Sequence, residues 1–326
     1  MFPQDKRQHL RSLGACALAA AAWPALAANA FPAKPVTLIV PNAPGGAIDL
    51  LARLLERQLS ERWGQPVLVV YKPGAGTVVG TDFVAKSAPD GHTLGLVVTS
   101  HVINPALRPK MPFDTLKDLS GITQLASSPI AISARPGLPV QNLQQLIDYA
   151  RRHPGKLSYA SPGSGSSMHL AAERLKTLAG IDLLHTPYKG SGGAYQDVFG
   201  ERVDLIFDPL FSSLPHVKSG RMKALAVISA QRSPIAPDLP AAAETLPGFV
   251  VDSIFGLVAP AATPAPVLQG IHADVVRVLR TEAMKARMAE VGLTPVGNSA
   301  AEFNAFIRAD MARWAQVVKQ AGVTLD

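Results

Sequence analysis

Cysteine is all but missing from this chain: one thiol, Cys16, in 326 residues. That excludes a disulfide framework, and with only 8 scattered histidines there is no set of four ligands at zinc-finger spacing. No metal or other cofactor is therefore expected. Charge is sparse at 17% of residues, and aromatics make up 6%. The Lys and Arg residues are dispersed and not interleaved with aromatics, so the chain does not read as a nucleic-acid binder. What is abundant is apolar sequence, 48% of the chain, punctuated by 28 Pro and 26 Gly. Such a chain is not disordered; it can bury a large core without staples, as two compact domains or one large one. The formal charge of +7 points to an anionic partner, although part of it sits in the N-terminal segment.

Lys6, Arg7 and Arg11 precede a mostly Ala and Leu run from Leu13 to Ala28 that ends in small residues. This layout reads as a secretory signal peptide over residues 1–30, with cleavage after Ala27 or Ala30. The run is short for a membrane span. Its removal takes three positive charges and Asp5 with it, so +7 becomes +5. Cys16 leaves too, and a thiol-free mature protein suits an oxidising compartment and excludes cysteine catalysis. Leu13-Gly14-Ala15-Cys16 has lipobox-like spacing, but little apolar sequence precedes it. No later apolar stretch is long enough to span a bilayer, and no repeat of fixed period is evident.

In the remainder, a β-branched run at Val36 to Val40, a Gly-rich turn and helical periodicity from Ile48 to Trp63 predict strand, loop, helix. The unit recurs with a strand at Val67 to Val70, a helix at Thr77 to Ser87 and a strand at Thr93 to Val98. A second series follows: strand Ile130 to Ala134, helix Leu143 to His153, strand Leu157 to Ala160 and helix Met168 to Ala179. Strands are also expected at Leu205 to Phe207, Ala224 to Ile228 and Ile254 to Val258, and a loop at Pro234 to Pro247. Helices close the chain at Pro266 to Arg280, Glu282 to Val291 and Ala300 to Gln320. Alternating strands and helices imply an α/β fold with a largely parallel, doubly wound sheet.

Five turns share one chemical character: Pro41 to Gly46, Lys72 to Thr77, Thr99 to His101, Ser161 to Ser167, and Tyr188 to Gly193. All combine small or hydroxyl residues, and most precede a helix. A helix start presents unpaired N–H groups and partial positive charge, and Gly admits a ligand close to that backbone. In an α/β sheet such turns gather at the carboxyl ends of the strands, where ligands bind. The plainer alternative is that Gly and Pro only mark tight turns. Gly74-Ala75-Gly76-Thr77-Val78-Val79-Gly80 misses the dinucleotide spacing by one residue, and no loop has the P-loop pattern. Ser161, Ser164 and Ser191 all lack the G-x-S-x-G frame of a nucleophile elbow. His169 and Glu173 sit four apart on one helix face without H-E-x-x-H, as a helix-surface pair would. Asp49 either caps the first helix or touches ligand, and Asp208 at a strand end is equally ambiguous.

The stretch Val40-Pro41-Asn42-Ala43-Pro44-Gly45-Gly46-Ala47-Ile48-Asp49 resembles the opening of the Bug-type solute-binding proteins of tripartite tricarboxylate transporters. The likeness continues at Pro73 to Gly76, Ala88-Pro89-Asp90-Gly91-His92-Thr93-Leu94, Ser100-His101, Asn104 to Leu107, Tyr159 to Ser166, Pro187 to Gly190, Gly256 to Pro260 and the helix holding Trp314. Three places depart from it: Val70-Tyr71 before Lys72, Phe255 where a Trp is usual, and Pro240-Ala241-Ala242-Ala243-Glu244. Tyr71 would be an aromatic wall of the site or a cover for the core.

The resemblance implies a type II periplasmic binding fold, two doubly wound lobes joined by crossover strands around a ligand cleft. Residues 31–130 with 254–326 would form one lobe and 131–253 the other. It implies a monomeric periplasmic receptor, not an enzyme, that captures a di- or tricarboxylate, acidic amino acid or aromatic acid and delivers it to membrane transporter subunits. Expected contacts are Pro41, Pro44, Gly45, Gly46, Ala47 and Asp49, then Gly74, Ala75, Gly76 and Thr77, with Ser100 and His101 close by. The ligand's other end would meet Ser161, Gly163, Ser164, Gly165 and Ser166, near Tyr188 and Asp208. Two alternatives use the same loops: a receptor that presents its ligand to a sensor kinase, and a secreted serine hydrolase built on Ser164 or Ser166 with His169.

Overall fold

A computed structural model describes residues 31–323 apart from Gly46 and Lys189. The signal segment and Gly46 thus lie outside the described residues. The chain lays down β1 (Val36–Val40), α1 (Ala47–Trp63), β2 (Val67–Tyr71), α2 (Val78–Ala85), β3 (Thr93–Val98) and α3 (Ser100–Leu107). β1 pairs in parallel with both β2 and β3, as short apolar runs separated by helices require. α1 buries Leu51, Ala52, Leu55 and Leu59, one stripe at helical spacing.

β4 (Leu119–Ala134) follows, 16 residues long. Its N-terminal part pairs antiparallel with β9 (Asp252–Pro260), from Leu119 opposite Pro260 to Pro129 opposite Asp252. Its last five residues pair with β7 (Leu205–Pro209), Ile130 opposite Pro209 and Ala134 opposite Leu205. The strand predicted at Ile130 to Ala134 is thus only the end of a longer one. Ser127, Ser128 and Pro129 mask its start in the sequence, yet both flanks of the strand are covered and no alternation is needed. Bulges near Gly121 and Gln124 bend it along the way.

Between the two passes lie α4 (Leu143–Arg152), β5 (Ser158–Ser161), α5 (Ser167–Ala179), β6 (Leu184–Pro187), α6 (Ser191–Phe199), β7, α7 (Leu210–Lys218), β8 (Lys223–Val227) and α8 (Ala242–Thr245). After β9 come α9 (Ala265–Leu279), α10 (Glu282–Glu290), β10 (Thr294–Pro295) and α11 (Ala300–Ala321). The sheet runs β2-β1-β3-β9-β4-β7-β5-β6, with β8 and β10 also on β4. Its first half is β2 to β9 and its second half β7 to β6, and β4 belongs to both.

Helices α3, α6 and α7 are absent from the sequence reading for a shared reason. Pro105 and Pro215 sit inside α3 and α7, and α6 opens on Ser191-Gly192-Gly193, all poor local signals that tertiary packing overrides. Thr99 to His101 is accordingly the start of a helix and not a free turn. The expected loop at 234–247 also contains the one-turn α8.

α11 begins in a capping box of Ser299 and Glu302 and ends on left-handed Gly322. Its Phe303 ring lies over the β4–β9 pair, where Gly121 and Gly256 leave room. A Cβ on Gly256 would stand 2.3 Å from the Phe303 ring, and one on Gly121 2.8 Å. Asn304 meanwhile exchanges two hydrogen bonds with the Gly121 backbone, at 2.8 and 3.0 Å. Gly256→Ala should therefore cost about 1–3 kcal/mol through overpacking. A urea melt of the variant indistinguishable from that of the parent would show that Phe303 has room to move.

Candidate functional site

A cleft of about 710 Å3 opens between the two halves of the sheet. One wall is built from Asn42, Ala43, Ala47 and Ile48 at the start of α1, Gly76 and Thr77, and Ser100, Asn104 and Arg108 on and just after α3. The opposite wall is Pro162 to Met168, leading into α5, with Pro209 and Phe211 at the start of α7. Val98, Thr99 and Ser253 to Phe255 connect them, tied by the Ile254 N–H that donates to Thr99 Oγ1 at 3.0 Å.

The first wall owes its shape to unusual backbone. Gly74, Ala75, Gly76 and Thr77 have φ of 140°, 47°, 62° and 81° in succession. Positive φ costs Gly little but strains a β-branched Thr, and such strain persists only where surroundings enforce it. Here Asn104 Nδ2 donates to Gly76 O at 2.8 Å, Thr77 Oγ1 bonds Ser100 Oγ at 2.7 Å, and Thr81 Oγ1 donates to Thr77 O at 3.0 Å. Beside it, Asp49 accepts from the Gly45 N–H at 2.8 Å and from the Tyr71 hydroxyl. These bonds, Tyr71 first, hold its carboxyl below the ordinary range. Asp49 thus fixes the α1 loop without reaching the cleft, and Tyr71 is its partner and not an aromatic wall.

The second wall is organised by neutral imidazoles. Ser166 caps α5, accepting from the His169 N–H at 3.2 Å while its hydroxyl donates to Gly163 O at 2.7 Å. The Gly165 N–H donates to His169 Nδ1 at 3.0 Å. His169 stacks on His185 with ring centroids 3.8 Å apart, and His185 Nε2 bonds Ser161 Oγ at 2.7 Å. Burial lowers both histidines to about 4, so both are uncharged near neutral pH. The Ser166 hydroxyl and His169 Nδ1 are each committed to backbone and not to one another, so the Ser166 form of the hydrolase alternative lacks its nucleophile–base contact. The His169–Glu173 surface pair is also corrected. Both residues are buried, and Glu173 accepts from Tyr159 at 2.6 Å and Lys176 at 3.1 Å.

Of the residues singled out in the sequence, Ala47, Gly76, Thr77, Ser100, Gly163, Ser164, Gly165 and Ser166 line the cleft. Pro41, Pro44, Gly45, Asp49, Gly74, Ala75, His101, Ser161, Tyr188 and Asp208 do not. Pro41 lies under Gly80 of α2, whose Cβ would be 3.0 Å from its Cα. His101 is enclosed in the core, its pKa lowered to about 4 by desolvation. Ser161 is fully buried beneath the loop it bonds, and Tyr188 donates to Asp197 at 2.6 Å. Asp208 is buried with Ser191 and Tyr195 as donors, and desolvation pushes its pKa up to about 6. In place of these, the cleft recruits Asn42, Asn104, Arg108, Met168, Phe211 and Ser253. Asn42 and Asn104 sit inside recognisable motifs, but nothing local marks Arg108, Phe211 or Ser253.

The cleft's electrostatics follow from this lining. Its described residues include no Asp or Glu, and Arg108 is the single charged side chain among them. Ala47, Ser100 and Ser167, the first residues of α1, α3 and α5, line it, as do Pro209 and Phe211 on either side of the first residue of α7, so four helix N-termini contribute positive potential. Three polar atoms of its lining, Asn42 Oδ1, Arg108 Nε and Ser253 Oγ, are buried without a hydrogen-bond partner. Among the described residues no group of three or more His, Cys, Asp or Glu is placed to hold a metal, and no helix is long and apolar enough to cross a membrane.

Residues 51–323 match the family described as TctC, tripartite tricarboxylate transporter family receptor. Protein BugT of Bordetella pertussis is 36% identical over 305 residues, covering 92% of this chain and 93% of that protein. Among solved structures, an R. palustris protein with adipate is 33% identical with a TM-score of 0.80, across 90% of this chain and 99% of that one. The periplasmic binding protein BugD is also 33% identical, with a TM-score of 0.76 over the same 90% and 99%. The mixed α/β architecture expected from the sequence is thus that of periplasmic binding proteins. Together with the family match over most of its length, this shows that the chain belongs to the TctC family of solute-binding receptors, a family of binding proteins and not of enzymes.

Proposed function

We propose that the chain is a periplasmic receptor that captures a small organic carboxylate in this cleft and delivers it to the membrane subunits of a tripartite tricarboxylate-type transporter. The observation that carries the reading is the lining: no acidic side chain among its described residues, four helix N-termini, and small Gly and Ser residues that let a ligand approach backbone N–H groups. A volume of about 710 Å3 suits a small-molecule site. The adipate bound to a relative 33% identical is a ligand of the same chemistry. Ala47, Gly76, Thr77 and Ser100 would meet one end of the ligand and Gly163 to Ser166 the other. The lobes 31–130 with 254–326, and 131–253, would then close by bending where β4 and β9 cross.

A thermal-shift panel of dicarboxylates, tricarboxylates, acidic amino acids and aromatic acids tests this. An acid at 100-fold over its Kd stabilises the native state by about 2.7 kcal/mol, a rise in Tm of roughly 5–10 °C. A panel in which no carboxylate shifts the melt while neutral analogues do would end the reading.

A further inference from the structure

Arg108 is the cation of the cleft, and the fold places it there in an uncommitted state. It follows the last residue of α3, a position that tolerates a cation because it faces the helix's negative end. That local reason accounts for the residue type but not for where the guanidinium goes. The side chain is half-buried and lines the cleft, and its Nη2 stands 3.3 Å from where a Cβ on Gly76 would be. Its Nε is buried with no hydrogen-bond partner. Among the described residues, no carboxylate lies within ion-pairing distance of it. Burying a guanidinium N–H without a partner is costly, and a bidentate carboxylate is the group that matches the fork.

We infer that Arg108 is the ligand's counter-ion: it clamps one carboxylate against the Gly76–Asn104 wall and makes the receptor select for that charge. Gly76 belongs to the same device, since any side chain there would press on the guanidinium. The facing wall, Gly163 to Ser167, holds no cation and offers the Ser164 hydroxyl and the Ser164 and Ser167 N–H groups instead, its other donors being bonded within the loop. The two ends of a ligand are therefore read by different chemistry. A carboxylate at the Arg108 end is required, and the other end tolerates a neutral acceptor.

This assignment rests on the carboxylate reading, and its test separates the two. Calorimetry is run on the parent and on Arg108→Gln with the tightest-binding acid among succinate, malate, glutarate and adipate, together with its monoamide and its diamide. A monoamide can turn its remaining carboxylate toward Arg108, so only the step from monoamide to diamide removes that contact. In the parent this step should lower affinity by about 30-fold or more, and in Arg108→Gln by less than about 5-fold, while the step from acid to monoamide changes little between them. Arg108→Lys, which keeps the charge and loses the fork, should retain the large second step while binding the acid about 3–10-fold more weakly. If the parent binds the acids but the second step is equal in Arg108→Gln, or if Arg108→Lys binds the acids unchanged, the assignment is overturned and the carboxylate reading stands. If the parent binds none of the four acids, the assignment is overturned, and the carboxylate reading falls with it only if the tricarboxylates, acidic amino acids and aromatic acids of the thermal-shift panel also fail to bind.

Discussion

Trp314→Ala should destabilise the protein by about 3–5 kcal/mol, the range for removing a buried Trp, and lower Tm by roughly 6–20 °C. Trp314 is 1% exposed on α11, within the large apolar cluster that also holds residues of β3, α4 and α5. Its indole Nε1–H donates to Asp310 at 2.9 Å, and Arg313, which pairs with Asp310, lies 5.4 Å from its ring. Arg313 in turn donates to Val250 O at 3.0 Å, just before β9. The substitution thus removes apolar volume and one of the donors of a nearly buried carboxylate. Trp314→Phe refills most of the space and should cost less than half as much. A urea melt that places the alanine variant within 1 kcal/mol of the parent would show that α11 is not integral to the core.

Lowering the pH from about 7 to about 4.5 should cost about 2–5 kcal/mol of folding stability, an effect set by three desolvated imidazoles. His101, His169 and His185 are each lowered to about 4 by desolvation, from about 6.5 in an unfolded chain. Between those values the unfolded state binds protons that the folded state refuses. Their contribution is therefore complete above about pH 6.5 and is lost as pH falls toward 4, up to roughly 3 kcal/mol each and less for half-buried His185. Asp208 works in the opposite sense. Raised to about 6 by burial, it binds a proton in the folded state first and returns stability as pH falls below 6; Asp310, also raised by desolvation, acts in the same direction. Glu244, lowered to about 2 by Arg232 and the Ala241 N–H, keeps its contribution through this window and loses it only as pH falls from about 4.5 toward 2. His169→Gln, whose amide oxygen can still accept from Gly165, should flatten the profile. Stability that is level or higher at pH 4.5 would refute the neutral-imidazole arrangement of the second wall.

Much of the fold was legible because its signals are local. Val36–Val40, Thr93–Val98 and the α1 stripe were readable from residue type and period alone. The full β4 was not, since Ser127, Ser128 and Pro129 look like a break until β9 is seen beside them. In the site, the glycine loops were recognised but their members were not sorted. Gly76 and Ser164 face the cleft, whereas Ser161 and Asp208 hold loops from beneath. A side chain that touches ligand and one that orients its neighbour carry the same letters.

By itself, then, the sequence determined the alternating α/β plan and the position of the neutral Gly and Ser loops, because periodicity and turn chemistry act over a few residues. Only the tertiary structure decided which loops share the cleft, that His169 and His185 behind its second wall are neutral, and that Arg108 stands against Gly76, 32 positions away in the chain. These depend on strand pairing and on side-chain direction, which are fixed by contacts between segments that no local pattern relates.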